Sequence, residues 1–196
     1  MRLSLGCGSP VAHASLVPGE VVVDLGSGAG LDVLRAAQAV GPHGQAVGVD
    51  LTEEMVALAR RNAAALGVAN AHFVVGELEA LPLSDGFADV VVSNCVVNLV
   101  PDKAQAFREA HRVLRPGGRL VVSDVVAHRA VPPELREDPQ AWSACVAGAV
   151  SLQEYFRLLA EAGFHAAEVV EESQADCGPW RVSLRSVTLR ARKPLG

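Results

Sequence analysis

Short apolar runs alternate with amphipathic stretches along most of this chain. The apolar runs predict buried strands, because short β-branched runs that stop at glycine or polar residues are typical of strands covered on both faces. They are "GEVVVDL", "QAVGVDL", "AHFVVGEL", "FADVVVSNCVV" and "RLVVSDVV". Between them, apolar positions three or four residues apart predict the helices "LDVLRAAQAVG", "TEEMVALARRNAAALG" and "KAQAFREAHRVLRPGG". The alternation from residue 20 to about 126 indicates an α/β, Rossmann-like doubly wound, mainly parallel sheet with helices on both faces.

Local signals refine the ends of these elements. Thr52 is expected to cap the second helix, and Gly67 to end it. A further helix, "SLQEYFRLLAEAGF", is expected to start at a Ser151 cap. The last two predicted strands are "AAEVVEE" and "RVSLRSVTLRARK", and the latter alternates apolar with polar residues. That alternation predicts an antiparallel C-terminal edge, exposed on one face.

Composition narrows the class of protein. The 196 residues are half hydrophobic, which predicts one domain over 1–196 with its own core. The net charge is -5 and the 17 basic residues are scattered, so we expect no nucleic acid and no membrane as partner. No apolar stretch is long enough to span a bilayer, and Pro and Gly interrupt the N-terminus, so no signal peptide is expected. The expected compartment is the cytoplasm, where the four cysteines would stay reduced.

A glycine-rich loop, "DLGSGAG" at Asp24–Gly30, follows the first strand. In a doubly wound sheet this turn borders the ligand crevice. The loop departs from the G-x-G-x-x-G spacing of dinucleotide sites, and Asp24 stands two residues before its first glycine. A carboxylate there suits a cationic ligand such as an ammonium group. Asp50, at the end of the second strand, is in the usual position for an acid that binds ribose hydroxyls, and Glu77 follows the third strand.

With these motifs the chain resembles the class I S-adenosylmethionine-dependent methyltransferases. The resemblance covers roughly residues 18 to 126, through "VVVDLGSGAG", "GVDLTEEM", "GELEALPL" and "HRVLRPGGRLVVSD". It implies that the glycine loop holds the methionine end of the cofactor, that Asp50 binds the ribose, and that Glu77 borders the adenine. The cofactor-binding residues so implied are Asp24, Gly26, Ser27, Gly28, Gly30, Asp50, Leu51, Met55, Glu77, Leu78 and Asn94.

Cysteines mark the predicted acceptor side. Cys95 follows Asn94 just past the fourth strand, where the transferred methyl group is expected, and Cys145 comes fifty residues later. Cys7 lies between two glycines near the N-terminus. Each is by itself compatible with a small buried apolar residue. No C-x-x-C or C-x-x-H pair is present, so the spacing does not support a structural zinc site, whereas a soft three-coordinate centre would suit three separated thiolates.

Three segments together resemble the arsenite S-adenosylmethionine methyltransferases, over about residues 4 to 170. They are "SNCVVNLVPDK", "WSACVAGA" and "GCGSP". The resemblance implies that thiolates of Cys7, Cys95 and Cys145 bind As(III), whose lone pair takes the methyl group. It implies arsenite or methylarsenite as substrate and a thiol reductant, glutathione or thioredoxin, as co-substrate. Thioredoxin is thereby an expected partner, and arsenic detoxification the expected role.

Family members usually carry more sequence before the G-C-G element and a longer C-terminal part, so a more open site is expected here. Residues 1–18 and 127–150 are the predicted substrate-site segments. Cys177 is either a resolving thiol or an exposed bystander. Two alternatives stay open: a methyltransferase for a carbon or oxygen acceptor, such as a quinone precursor, and a noncatalytic arsenite-binding protein. The intact glycine loop speaks against the latter, because a metalloid binder needs no cofactor crevice.

Overall fold

A computed structural model describes residues 8–175, 180 and 182–196. In these ranges seven strands form a single sheet in the order β3-β2-β1-β4-β5-β7-β6. The strands are β1 Val21–Leu25, β2 Gln45–Asp50, β3 Ala71–Val75, β4 Ala88–Asn94, β5 Leu114–Ala127, β6 His165–Gln174 and β7 Leu184–Arg192. The helices are α1 Pro10–His13, α2 Leu31–Val40, α3 Glu53–Ala65, α4 Lys103–Val113, α5 Pro133–Arg136, α6 Pro139–Ser143 and α7 Leu152–Glu161, with a 3-10 turn at Val97–Leu99.

The sheet confirms the predicted doubly wound architecture. Strand β1 pairs in parallel with β2 on one side and with β4 on the other, and β3 and β5 continue the two halves. The strand order therefore reverses next to β1. Ligands of open α/β sheets bind at such a switch point, outside the carboxyl ends of the strands.

Alternate residues of the central strands supply two separate cores. Val23 and Val91 belong to one buried cluster, whereas Val22 and Val90 belong to the other. Because successive side chains of a strand point to opposite faces, the two clusters lie on opposite faces of the sheet. Full burial of a valine stabilises the fold by about 1.5–3 kcal/mol. This explains why the central strands β1 and β4 are nearly continuous apolar runs rather than alternating ones.

The C-terminal end of the sheet differs from expectation in one respect. Strand β7 is antiparallel to both β5 and β6, as the predicted antiparallel end requires. However, β7 lies between those strands and is mostly buried, so the prediction that it forms the exposed edge was wrong; the edge strand is β6. Several polar side chains of β7 have partners on the two flanking strands. Arg190 pairs with Glu168 of β6, and the hydroxyl of Thr188 lies 2.8 Å from that of Ser123.

Two predicted caps had different outcomes. The Ser151 side chain accepts a hydrogen bond from the Glu154 N–H at 3.1 Å, so the predicted cap of α7 is confirmed. Thr52 precedes α3 but makes no side-chain cap, because its hydroxyl donates to the Asp50 carboxylate. Gly67 follows α3 with a φ of 65°, the left-handed conformation that commonly ends a helix. No helix in the described ranges combines the length and apolar character needed to cross a bilayer.

Candidate active site

The glycine loop turns sharply at the carboxyl end of β1. Gly26, Gly28 and Gly30 have φ angles of 70°, 50° and 87°, which side-chain-bearing residues rarely adopt. A Cβ atom at Gly26 would stand 2.5 Å from a methyl group of Val96. The loop thus packs so closely against the segment after β4 that Gly26 has no room for a side chain.

Asp50 fixes this loop from the neighbouring strand. Its carboxylate accepts hydrogen bonds from the Gly28 N–H at 2.8 Å and from the Thr52 N–H at 3.0 Å. The acid therefore lies at the end of β2, as predicted, and one of its oxygens holds the loop main chain.

Three carboxylates surround the loop. Asp24 is almost fully buried, and burial, together with the charges of Asp32 and Asp50, raises its pKa well above the usual range. Within the described part of the chain, its carboxylate accepts no hydrogen bond. Sequence reasoning missed Asp32, which is buried in the first turn of α2 despite its ordinary position in a helix start. A cationic ligand would offset the repulsion between these carboxyl groups and favour their charged forms.

Two adjoining cavities share a wall made by the loop and the segment after β4. The first, of about 360 Å³, brings Asp24, Asp50 and Asn94 together with Cys95 and Cys145. The second, of about 560 Å³, is more apolar. It is lined by the predicted residues Leu51, Met55, Glu77 and Leu78, together with Thr52, Glu79, Val100 and Pro101. Gly26, Asp50, Val96 and Leu99 border both, so one elongated ligand can occupy the pair.

Asn94 leaves one polar atom for a ligand. Its Nδ2 donates to the Gly8 carbonyl at 3.0 Å and to Asp32 at 3.1 Å, which fixes the orientation of the amide. Its Oδ1 is buried and has no hydrogen-bond partner among the described residues. A buried acceptor without a partner costs about 1–3 kcal/mol, and a ligand donor in the first cavity would remove that cost.

Cys95 and Cys145 both line the first cavity and lie close together. Both have left-handed backbones, with φ angles of 58° and 60°. The Cys145 Sγ donates to the main-chain oxygen of Cys95 at 3.0 Å. The side-chain ligand atoms of Cys95, Asp124 and Cys145 all lie within 4.8 Å of one another. Cys95 is disulfide-bonded in this structure, whereas Cys145 is a free, buried thiol.

Asp124 is the residue of this cluster that sequence reasoning missed. Its carboxylate accepts hydrogen bonds from the N–H groups of Asn98 and Val125 and from the Tyr155 hydroxyl. Burial raises its pKa to about 7, and burial raises the pKa of the Cys145 thiol to about 12. The available signal was a charged residue inside the otherwise apolar run "LVVSDVV".

Two predicted cysteines cannot be placed. Cys7 and Cys177 lie outside the described residues, so their predicted roles stay predictions. The segment 127–150 contributes Ser143 and Cys145 to the first cavity. Its inclusion in a substrate site, like that of residues 1–18, stays a prediction.

Comparison with known proteins agrees with this geometry. Residues 16–163 match the family model described as "Methyltransferase domain". An arsenite methyltransferase from Halobacterium salinarum is 46% identical over 98% of this chain and 51% of its own length. One from Aquipseudomonas alcaligenes is 42% identical over 85% of this chain and 50% of its own length. The chain therefore spans about half the length of these curated relatives.

A solved structure shares the fold and a third of the sequence. It is CrArsM, an arsenic(III) S-adenosylmethionine methyltransferase from Chlamydomonas reinhardtii. It superposes with a TM-score of 0.84 at 32% identity and covers 98% of this chain and 68% of its own. The family match over most of the chain and this structural likeness agree: the chain belongs to the methyltransferase domain family, in the group that includes the arsenite methyltransferases.

Proposed function

We propose that this domain transfers a methyl group from S-adenosylmethionine to trivalent arsenic held by cysteine thiolates. The observation that carries the proposal is the proximity of Cys95 and Cys145 in the lining of the cavity that the glycine loop also lines. Soft thiolates are suitable ligands for a thiophilic centre. The relatives named above are an arsenic(III) methyltransferase and arsenite methyltransferases, which supports arsenite or methylarsenite as substrate.

The two cavities suit the two ends of the cofactor. In the first, Asp24 and the free Oδ1 of Asn94 would accept hydrogen bonds from its ammonium end, against Gly26, Ser27 and Gly28, whereas the predicted Gly30 does not line this cavity. In the second, the apolar Leu51, Met55 and Leu78 would border the adenine beside Glu77. Asp50 lines both cavities, which supports the proposal that its carboxylate would bind the ribose between them. When bound, S-adenosylmethionine supplies an electrophilic methyl group on a positively charged sulfur.

The cysteines hold and orient the acceptor. Thiols replace arsenite hydroxyls, each S–H proton leaving with a hydroxyl as water, and the arsenic keeps its lone pair. No proton leaves the attacking atom during transfer, so the chain's contribution is positioning and exclusion of water rather than general base catalysis. Cys145 is 7% exposed, so its thiol is largely shielded from water. Cys7 is the proposed third ligand, on the resemblance of its "GCGSP" segment.

The disulfide at Cys95 supports the proposal of a thiol co-substrate. Its sulfur is bonded in a disulfide in this structure and cannot bind arsenic until that bond is reduced. We propose glutathione or thioredoxin as the reductant. Protein prepared without reductant is expected to bind cofactor but no arsenite, and prior reduction with a phosphine is expected to restore arsenite binding.

The deciding experiment is a methylation assay on the full chain with As(III), S-adenosylmethionine and excess thiol. Methylarsenical product, separated by chromatography and measured as arsenic, is the expected result. Cys95→Ser and Cys145→Ser should abolish turnover and change cofactor affinity by less than about twofold, because neither sulfur holds the cofactor. Ala144→Ser is the matched control, since it adds a hydroxyl at the exposed neighbour of Cys145 and leaves the sulfurs in place.

Three outcomes would contradict the proposal. Cofactor binding by calorimetry without any methylated arsenic would indicate another acceptor, such as a carbon or oxygen nucleophile. Full activity of Cys95→Ser would make its thiol a core residue. Arsenite binding without cofactor binding would instead indicate a noncatalytic arsenite-binding protein.

A further inference from the structure

The side-chain amide of Asn98 joins the two cysteine segments. Asn98 is fully buried in the 3-10 turn that follows Cys95. Its Nδ2 donates to the Asp124 carboxylate at 2.8 Å, to the Val125 carbonyl at 2.7 Å and, more weakly, to the Cys145 carbonyl at 3.5 Å. One amide therefore contacts the end of β5 and the main chain of Cys145.

The orientation of this amide is determined by its acceptors. All three contacts of Nδ2 are oxygens, so the amide cannot be turned round. The Oδ1 of Asn98 is buried without a partner among the described residues. A buried acceptor without a partner is unfavourable, so the hydrogen bonds that the Asn98 Nδ2 donates must offset that cost.

Gly148 lets the segment that contains Cys145 pack directly against the main chain of Asn98. A Cβ atom at Gly148 would stand 1.8 Å from the Asn98 carbonyl oxygen and 2.9 Å from its carbon. The φ of Gly148 is not positive, so the need for glycine here is close approach and not backbone conformation. Any side chain at this position must push the two segments apart.

A third support comes from the helix that follows the turn. The Lys103 Nζ donates to the carbonyls of Asn98 and Val100 at 3.4 and 3.2 Å. The same Asn98 carbonyl is thus held by Lys103 and covered by Gly148. Asn98 and Lys103, which both belong to the segment "SNCVVNLVPDK", therefore support the main chain that follows Cys95.

We propose that Asn98 and Gly148 are positioning residues that set the separation of the Cys95 and Cys145 sulfurs for joint binding of one arsenic atom. The inference rests on the proposed function and adds to it the residues that bring the two ligands together. Both cysteines have left-handed backbones, which persist only where surrounding contacts hold them. The Asn98–Gly148 contact and the Asn98 amide supply contacts of that kind.

The separation matters for chelation and not for the reactivity of either thiol alone. Once one sulfur has bound arsenic, the second binds within the same molecule at a high effective concentration, which requires the correct geometry. A displaced segment lowers this advantage while each thiol stays intact. A loss confined to dithiol ligands therefore distinguishes positioning from general damage to the fold.

The test is Gly148→Ala in the full chain, after reduction with a phosphine. Arsenite affinity and the affinity for phenylarsine oxide, a dithiol-binding probe, are each expected to fall on the order of tenfold to a hundredfold. Cofactor affinity and the rates of alkylation of the two thiols by a monofunctional reagent should stay within about twofold. Gly44→Ala is the matched control, because its Cβ would meet the Glu20 carbonyl oxygen at 2.6 Å, at the opposite end of the sheet.

A double-mutant cycle separates positioning from structure. With Cys145→Ser as background, Gly148→Ala should have no further effect on arsenite affinity, because the ligand that it displaces is already gone. Wild-type affinity of Gly148→Ala for both arsenicals, or a loss equal to that of Gly44→Ala, would overturn the inference. If the wild type binds phenylarsine oxide through both thiols but not arsenite, the proposed function fails and the positioning role stands.

Discussion

The Cys145 Sγ donates a hydrogen bond of 3.0 Å to the main-chain oxygen of Cys95, a residue fifty positions earlier in the chain. The contact joins the segment after β4 to the segment after α6. Each of these cysteines has a left-handed backbone, which costs of order 1–3 kcal/mol for a residue with a side chain. Packing on Asn98 and Gly148 offsets this cost, so the two sulfurs are placed near each other before any ligand binds.

The thiol of Cys145 is expected to react slowly at neutral pH in the absence of arsenic. Burial raises its pKa to about 12, and the nearby Asp124 charge acts in the same direction. Because the thiolate is the nucleophile, alkylation by iodoacetamide should speed up about tenfold per pH unit between about pH 7 and 10. Mass spectrometry of the labelled peptide measures the rate. A plateau below about pH 9 would contradict the burial of this thiol.

Cofactor binding is expected to release a proton from Asp24. The raised pKa means that the free protein holds a proton on this carboxyl at a pH where an exposed aspartate is ionised. A cationic ligand favours the carboxylate and lowers that pKa, so affinity should increase with pH until the pKa of the free protein is passed. Calorimetry in two buffers of different ionisation enthalpy measures the released proton.

The control for this experiment is Asp24→Asn, which has no proton to release at this position. Its binding enthalpy should no longer depend on the buffer, and its affinity should fall by about 1.5–3 kcal/mol, the value of a hydrogen bond to a charged group. Proton uptake by the wild type, in place of release, would contradict the assignment of Asp24 to the cationic end of the ligand.

Gly26→Ala is expected to weaken cofactor binding at least tenfold by two separable effects. The substitution puts a side chain on a residue with a φ of 70°, and its Cβ would meet Val96 at 2.5 Å. The first effect costs about 1–2 kcal/mol and the clash about 1–3 kcal/mol. Adding Val96→Ala should relieve only the clash. Gly19→Ala, with a φ of 90° and no atom within 4 Å, isolates the backbone effect in urea unfolding. If cofactor affinity does not recover in the double variant, the clash with Val96 is not a cause of the loss.

The parts of the site that follow directly from strand ends could be predicted from the sequence. Asp24, Asp50 and Asn94 terminate apolar runs, and the carboxyl ends of parallel strands share one edge of a sheet. The sequence motif also placed Cys95 at that edge. These positions needed only the chain direction and the parallel pairing of the strands.

The position of β7 and the role of Asp124 could not be predicted, because they depend on contacts between segments that are distant in the sequence. Strand β7 alternates polar and apolar residues, but it lies between β5 and β6, so its polar residues Ser186 and Thr188 are buried. Asp124 is inside a strand, and its importance comes from Asn98 and Tyr155, which approach it from distant segments. Tertiary contacts of this kind assign a role to a residue whose own neighbours in sequence give no indication of it.

Tyr155→Phe tests the buried network beneath the cysteines. The Tyr155 hydroxyl donates to Asp124 at 3.2 Å, and the ring makes an edge contact with Phe107 at 5.5 Å that phenylalanine keeps. Removal of the hydroxyl should lower the free energy of unfolding by about 1–3 kcal/mol when Asp124 is ionised. Urea unfolding at several pH values provides the measurement.

The pH dependence of this loss of stability shows whether the Tyr155 hydroxyl donates to the ionised form of Asp124. In the wild type the folded pKa of Asp124 is raised to about 7, so stability falls as pH rises from the unfolded pKa towards 7 and then levels off. Without the hydroxyl, which lowers that pKa, the fall should continue to higher pH, so the variant loses more at pH 8 than at pH 5. Thr188→Val removes a neutral hydrogen bond to Ser123 and should show a loss that is independent of pH over this range. If Tyr155→Phe behaves in the same way as Thr188→Val, Asp124 is not charged in the folded protein near neutral pH, and the four donors around it serve a neutral carboxyl group.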